Sequence, residues 1–253
     1  MLASKKQTLI LLILVTMISV LVFVTPNAMA LAIVDGKTTC ESVPISGVWI
    51  LPTQTCTVTT LVIGSVDELI VSSDVILSIG AITNNGIITN NGQIHIASDG
   101  AITTFGSLSN YGTITISGGT ITNSGQFENV GKINSSGIIT NNPTGVMSIM
   151  GSITNSGLIT SSGNVIINGT GVLVNNGMLV NTLNLLNRGT VVTSGTFANS
   201  GSVLNTGDIW NLDLITNDDE ITNIGNLFNL CGGTITNSGT ITINAILTCA
   251  DLT

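Results

Sequence analysis

From residue 80 onwards the chain repeats a six-residue unit that starts with glycine and has an apolar residue two positions later. The unit is clearest as Gly-Thr-Ile-Thr-Asn-Ser at residues 119–124, and again at residues 233–238. We number its positions from 0, the glycine, to 5. Position 2 is Ile, Leu, Val, Met or Phe in every unit, position 4 is most often Asn, and positions 1 and 3 are mostly small or polar. Since alternate side chains of a β-strand share a face, positions 2 and 4 are predicted to point inward and positions 1 and 3 outward.

One such strand cannot cover its own apolar side, so the units must stack on one another. Most units have six residues and a few have seven or eight, so three units make a coil of about 18–20 residues. The pattern therefore predicts an all-β parallel β-helix (β-solenoid) with three faces and a C-terminal cap over residues 80–253. Residues 31–79 lack the glycine repeat but contain short β-prone runs, which predicts an N-terminal cap and the first coils.

The glycine and the asparagine of the unit have predicted structural roles. Glycine is expected to form the corner between faces, where a positive φ costs it little. Asparagine tolerates the same conformation and forms hydrogen bonds at bends. Since a buried amide without partners is unfavourable, inward asparagines one coil apart are predicted to form hydrogen-bonded ladders.

The first thirty residues have the features of a secretory signal peptide. Lys5 and Lys6 precede an apolar stretch over residues 9–24, and Ala28-Met29-Ala30 provides a small-residue cleavage site. The alternative is an uncleaved anchor helix, although the stretch is short for a membrane span. We expect cleavage after Ala30, and a secreted or cell-surface protein with no transmembrane segment in the mature chain.

The four cysteines fit an oxidising destination, since they form two pairs close in sequence. Cys40 and Cys56 lie about one coil apart near the start, and Cys231 and Cys249 lie about one coil apart near the end. Adjacent strands are about 4.8 Å apart, which suits the Cα separation of about 4.4–6.8 Å that a disulfide needs. The predicted pairs are Cys40–Cys56 and Cys231–Cys249, each stapling a terminal coil.

Composition excludes several classes of protein. Charged residues make up 7% of the chain and the formal net charge is −8, so a nucleic-acid partner is disfavoured. Beyond residue 30 no apolar run is long enough for a membrane span. The cysteines have no zinc-binding spacing and there is one histidine, so no metal or cofactor site is predicted.

The Gly-x-Ile-x-Asn runs resemble the right-handed β-helix repeats of filamentous adhesins, haemagglutinin-type repeats and autotransporter passenger domains. The resemblance covers about two-thirds of the chain. It implies a right-handed solenoid with a structural or adhesive function. The implied partners are a cell-envelope or matrix protein, a glycan, or further copies of the chain.

A carbohydrate-active enzyme is the alternative function, since pectin-cleaving enzymes use the same fold. Asp218-Asp219 resembles the paired aspartates of polygalacturonases, but their Gly-His-Gly and Arg-Ile-Lys elements are absent. The one histidine, His95, occupies the outward position 3, so no catalytic residue is predicted. The same aspartates belong to an acidic cluster that consists of Asp208, Asp213, Asp218, Asp219 and Glu220. The cluster suggests either a Ca²⁺ site or aspartates that simply occupy the corners between strands, where Asp tolerates the backbone conformation.

An ice-binding module is a second alternative. Thr-x-Thr occurs at residues 113–115, 120–122, 234–236 and 240–242 and places two threonines outward. An ice-binding plane needs this motif on one face in successive coils. Intervening units such as Leu158-Ile159-Thr160 predict an interrupted rank.

Two further sets of outward residues are candidate sites. Trp210 and Phe228 both occupy position 3, one coil apart, and are predicted to stack on the surface. Such a pair marks a contact for a protein or glycan partner, or else packs in a C-terminal cap. Asn134 and Asn168 begin N-glycosylation sequons.

Overall fold

A computed structural model describes residues 31–42, 44–243 and 246–248, and these residues form a parallel β-solenoid. The one helix in the described part of the chain is the short α1 (Lys37–Glu41). The predicted signal peptide and residues 249–253 lie outside the described residues, so both the signal peptide and the C-terminal cap stay predictions. Each coil contributes one strand to each of three faces, which we call A, B and C in the order that the chain follows.

Face A is a sheet of eleven parallel strands. It contains β1 (Leu31–Val34), β4 (Glu68–Val71), β6 (Ile87–Asn90), β8 (Ser107–Asn110), β11 (Gln126–Asn129), β14 (Val146–Ile149), β17 (Asn164–Ile167), β20 (Asn184–Asn187), β23 (Ser202–Asn205), β26 (Glu220–Asn223) and β29 (Thr240–Ile243).

Faces B and C belong to one sheet, because β3 (Thr55–Ile63), β5 (Ile76–Asn84) and β7 (Gln93–Thr104) continue around the corner between them. Face B contains β2 (Val48–Ile50), the first parts of β3, β5 and β7, and then β9 (Thr113–Ile116), β12 (Lys132–Ser135), β15 (Ser152–Asn155), β18 (Val172–Asn175), β21 (Thr190–Thr193), β24 (Asp208–Asn211), β27 (Asn226–Asn229) and β30 (Ile246–Thr248). Face C contains residues 60–63, 81–84 and 101–104 of the three long strands, and then β10 (Thr120–Asn123), β13 (Ile138–Asn141), β16 (Leu158–Ser161), β19 (Met178–Asn181), β22 (Thr196–Asn199), β25 (Leu214–Asn217) and β28 (Thr234–Asn237).

Strands one coil apart pair in parallel with equivalent positions opposite each other. Thr120 pairs with Ile138, 18 residues later, and Gln126 pairs with Val146, 20 residues later. The predicted parallel solenoid with three strands per coil is therefore confirmed. Its core is a continuous stack of position 2 side chains, in which Ile153 and Phe197 are among the fully buried members.

The inward asparagines form the predicted ladders. Asn199, for example, accepts a hydrogen bond from the Asn181 amide of the preceding coil (2.8 Å) and donates one to the Asn217 carbonyl oxygen of the next coil (2.7 Å). Its amide also donates to the main-chain oxygen of Gly201 (2.6 Å) at the corner. A buried amide inside a ladder thus joins neighbouring coils and satisfies a corner carbonyl, which offsets most of the cost of burying a polar group.

The predicted role of glycine in the corners was wrong. Among the described glycines only Gly118 (φ 86°) and Gly232 (φ 97°) have a positive φ. Leu183, Asp213 and Asp219 occupy position 0 in three units, but at most corners glycine is selected because the stacked coils approach too closely for a side chain. A Cβ added to Gly157 would lie 2.1 Å from the main-chain oxygen of Gly137 in the preceding coil. Steric exclusion between coils, and not backbone conformation, selects glycine there.

The N-terminal end of the solenoid carries a short helix and the first predicted disulfide. α1 lies beside β2, and β2 pairs antiparallel with β3 across the first coil. Cys40 of α1 is bonded to Cys56 of β3, with their Cα atoms 5.6 Å apart, which confirms the first predicted pair. Cys231 is disulfide-bonded, but its predicted partner Cys249 lies outside the described residues, so the pairing of these two stays a prediction.

Candidate functional site

The structure does not bring the acidic cluster of the sequence together. Asp208 lies on face B, Asp213 at the corner between faces B and C, and Asp218 and Asp219 at the corner between faces C and A. Glu220 begins a strand of face A. Within the described residues no three His, Cys, Asp or Glu side chains are grouped so that they could hold a metal ion. A six-residue spacing moves the chain to the next face, which is why residues close in sequence diverge here.

The carboxylates of this region form ordinary hydrogen bonds with neighbouring coils. Asp218 accepts a hydrogen bond from the Ser238 hydroxyl (2.7 Å), and Asp208 accepts one from the Asn226 amide (2.8 Å). His95 points outward on face B, as predicted, and its Nε2 lies 3.2 Å from the Ser117 hydroxyl. These contacts tie coils together and assemble no acid–base pair.

The aromatic pair predicted from the sequence is present. The rings of Trp210 and Phe228 stack on the outside of face B with centroids 3.9 Å apart and an interplanar angle of 19°. Val192 pairs with Trp210, and Val174 lies one coil further back. The aromatic pair therefore continues an apolar column that runs along face B.

This column is part of a larger feature, which we call the apolar band. In eight successive units the outward position 3 is apolar, and the residues concerned are Ile166, Val174, Val180, Leu186, Val192, Ala198, Leu204 and Trp210. None of these side chains is fully buried. In every earlier unit from Thr83 to Thr160 the same position is polar. Because successive units occupy successive faces, the band surrounds the solenoid.

The surroundings of the apolar band are almost free of charge. Between Lys132 and Asp208 the chain has one charged residue, Arg188. Positions 1 and 3 were predicted to be mostly small or polar residues, so the apolar band was not predicted. The signal was available in the change of position 3 from polar to apolar at Ile166, but its extent around three faces follows only from the coil register.

The Thr-x-Thr motifs do not form one continuous plane, as the sequence predicted. The paired Thr-x-Thr motifs are split among faces, since residues 113–115 lie on face B, residues 120–122 and 234–236 on face C, and residues 240–242 on face A. At position 3 of face C, however, threonines are opposite each other in five successive coils, and they are Thr83, Thr103, Thr122, Thr140 and Thr160. The predicted interruption of the Thr-x-Thr rank is confirmed, because Thr120 pairs with Ala101 and Ile138 and not with threonine, and only position 3 continues as a threonine rank.

The two sequons are placed on different parts of the coil. Asn134 points outward from β12 on face B, and Asn168 lies at the corner between faces A and B. The Asn168 amide donates to the Ser148 hydroxyl (2.9 Å). Glycosylation at either residue stays a prediction. Among the described residues, no helix has the length and apolar character that crossing a bilayer would require.

Comparison with known families identifies the repeat. The family described as the haemagglutinin repeat matches residues 77–142 and 150–249. No curated protein and no solved structure shows significant similarity to the chain. The two matched segments together cover well over half of the sequence and coincide with the stacked coils of the solenoid. The chain therefore belongs to the haemagglutinin repeat family.

Proposed function

We propose that this protein is a secreted or cell-surface adhesin-like β-solenoid without catalytic activity, and that it binds its partner through the apolar band. The observation that carries the proposal is the run of eight outward apolar residues at position 3, which is polar in every earlier unit from Thr83 to Thr160. Exposed apolar surface of this kind is typical of interaction sites on soluble proteins.

The stacked Trp210–Phe228 pair is the proposed anchor of this contact. Large aromatic side chains dominate the binding free energy of many interfaces because they bury much surface at a low cost in conformational entropy. Both rings are held by in-register pairing of β24 with β27, so they are ordered before a partner binds. Between Lys132 and Trp210 the only charges are Arg188 and Asp208, and the Asp208 carboxylate accepts a hydrogen bond from Asn226. The matching surface of the partner is therefore expected to carry little charge, such as a neutral glycan or an apolar patch of an envelope or matrix protein.

Binding to arrayed neutral and acidic glycans, and to immobilised extracellular-matrix proteins, tests the proposal. We expect the Trp210→Ala/Phe228→Ala double variant to lose roughly tenfold or more in affinity for any probe that the wild-type protein binds. The matched control is Thr154→Ala, which changes position 3 of the same face outside the apolar band. Equal binding by the double variant, or binding to no probe by the wild type, would count against the band as the contact site.

Cell fractionation tests the proposed location. Antibodies against the solenoid are expected to find the native protein in the culture medium or on the cell envelope, with an N-terminus beginning at Leu31. Recovery of the full-length chain from the cytoplasm would contradict secretion.

A further inference from the structure

Two strands of face B carry a polar pair beside the stacked aromatic rings. Asp208 and Asn226 occupy position 1 of β24 and β27, and the Asn226 amide donates a hydrogen bond to the Asp208 carboxylate (2.8 Å). Trp210 and Phe228 occupy position 3 of the same strands. Residues two apart in a strand share a face and lie about 7 Å apart. The polar pair and the aromatic pair therefore form one continuous surface over two coils.

The preceding coil extends both rows of this surface. In β21, Thr190 pairs with Asp208 and Val192 pairs with Trp210. The two rows run side by side along three coils, and one row is polar while the other is apolar. We call the six residues the face B patch, and they are Thr190, Asp208, Asn226, Val192, Trp210 and Phe228.

The apolar row of the patch has a ring face that its neighbours leave uncovered. Phe228 covers one face of the Trp210 indole, with ring centroids 3.9 Å apart. Val192 lies opposite Trp210 on the other side, in the preceding coil. Because valine ends two bonds beyond its Cα atom and the indole extends several bonds further, the outer part of this indole face stays open to solvent. Trp210 accordingly is only half-buried, and it forms a flat apolar ledge supported by Phe228.

The polar row of the patch contains both donors and acceptors of hydrogen bonds. One Asp208 oxygen accepts from Asn226, and the other has no hydrogen-bond partner among the described residues. The Asn226 amide oxygen and the Thr190 hydroxyl likewise have no side-chain partner in the described part of the chain. A carboxylate only accepts, whereas an amide and a hydroxyl can donate and accept. This row therefore suits ligand groups that are donors and acceptors at once.

We propose that the face B patch binds a neutral pyranose sugar of a glycan, an inference that rests on the proposed adhesive function. A pyranose ring has an apolar face of C–H groups, which matches the indole ledge. Its rim carries hydroxyl groups, each of which donates and accepts a hydrogen bond, as the polar row requires. The Asp208 charge repels a carboxylated or sulfated sugar, and four further acids follow within residues 213–220, so the ligand is neutral.

Two other ligands fit the patch less well. A quaternary ammonium or lysine cation is attracted to an indole and a carboxylate, but it offers no acceptor to the Thr190 hydroxyl or the Asn226 amide. An apolar protein surface would cover the Asp208 carboxylate without replacing the hydrogen bonds that it forms with water, which is unfavourable. A sugar satisfies the polar row and the apolar row together.

Saturation-transfer NMR with the purified protein tests the proposal, and the probes are methyl glycosides and short oligosaccharides of glucose, galactose and mannose. The test variant is Asp208→Ala/Asn226→Ala, which removes the polar pair and keeps both rings. The matched control is Asn164→Ala/Asn184→Ala, which removes a similar hydrogen-bonded pair (3.0 Å) from position 1 of face A. Thermal unfolding verifies that each variant is folded.

At least one sugar probe is expected to bind the wild type and the control with Kd values within about twofold of each other. The test variant and Trp210→Ala are each expected to bind that probe roughly tenfold or more weakly. Absence of binding to every sugar probe, or equal binding by the test variant, would overturn the proposal. Tighter binding of tetramethylammonium than of any sugar would also overturn it, because that result would assign the patch to a cation.

The outcome for the sugar is distinguishable from the outcome for the adhesive function. If no sugar binds but an immobilised matrix protein does, and the Trp210→Ala/Phe228→Ala variant loses that binding, the adhesive function stands and the sugar site is wrong. Sugar binding that is unchanged in the same double variant would contradict both proposals, because neither ring would then contribute to a contact.

Discussion

Single residues set how closely the coils stack. At position 0 the corner of one coil lies against a carbonyl group of the preceding coil, and only hydrogen fits between them at Gly157. At position 4 the asparagine ladders run in one direction, with each amide donating to the next coil. The carbonyl oxygen of the first asparagine in a ladder therefore has no asparagine amide in the preceding coil to donate to it. This explains why the Oδ1 atoms of Asn90, Asn181 and Asn211 are buried without a hydrogen-bond partner.

The close approach at position 0 makes a direct prediction. Gly157→Ala is expected to destabilise the protein by roughly 1–3 kcal/mol, because the new Cβ forces two coils apart. Gly169→Ala is the matched control, since its nearest non-local atom would be 4.0 Å away and its φ is not positive. The control is expected to stay within about 0.5 kcal/mol of the wild type. Urea unfolding of both variants measures the difference, and equal stabilities would show that the corners do not exclude a methyl group.

At the scale of elements, strands of only four residues are stable because each pairs with a strand on both sides. The first coil lacks one of these neighbours. There the chain adds α1, the antiparallel pairing of β2 with β3 and the Cys40–Cys56 bond. These elements cover strand edges that would otherwise be open to other chains.

The disulfide arrangement is a prediction at this scale. Non-reducing peptide mapping of secreted protein is expected to find Cys40 linked to Cys56 and Cys231 linked to Cys249. In the chain-entropy model each short loop closure contributes roughly 3 kcal/mol, so mild reduction should lower the melting temperature. The reduced digest is the control for the mapping. A peptide joining Cys40 or Cys56 to Cys231 or Cys249 within one monomer would contradict a solenoid that separates its two ends.

At the scale of the whole molecule, charge and polarity are unevenly distributed along the solenoid. Acidic residues occur before Lys132 and from Asp208 onward, while the section between them is nearly uncharged. Seven of the eight residues of the apolar band, Ile166 to Leu204, lie in that section, and Trp210 lies just beyond it. The acidic ends of neighbouring copies repel each other and disfavour close packing of many copies, whereas the central section offers a nearly uncharged contact surface.

The separation of the acidic residues on different faces and corners predicts that the protein is not catalytic. Purified mature protein is expected to show no lyase or hydrolase activity on a panel of acidic and neutral polysaccharides, with or without Ca²⁺, because the acids at residues 208–220 lie on different faces and corners. Turnover is measured by release of reducing ends and of unsaturated sugars. Activity that disappears in Asp218→Ala or Asp219→Ala would overturn the non-catalytic assignment.

The sequence by itself determined the strands, the inward and outward positions and the length of the coil. A period of two within each strand and of six along the chain leaves one way to bury position 2, because a shift by one residue would expose every core side chain. The Trp210–Phe228 stack followed from the same coil length, whereas the Cys40–Cys56 bond joins α1 to β3 and does not link two stacked strands.

Tertiary structure decided which outward residues become neighbours over many successive coils. Coils vary in length, from 17 residues between Ile76 and Gln93 to 21 between Thr60 and Ala81, so a residue such as Thr160 joins a rank only once the register of every preceding coil is known. The threonine rank and the course of the apolar band around three faces depend on that accumulated register. The need for glycine at position 0 was likewise visible only in the structure, because it arises from contact between coils and not from the conformation of the residue itself.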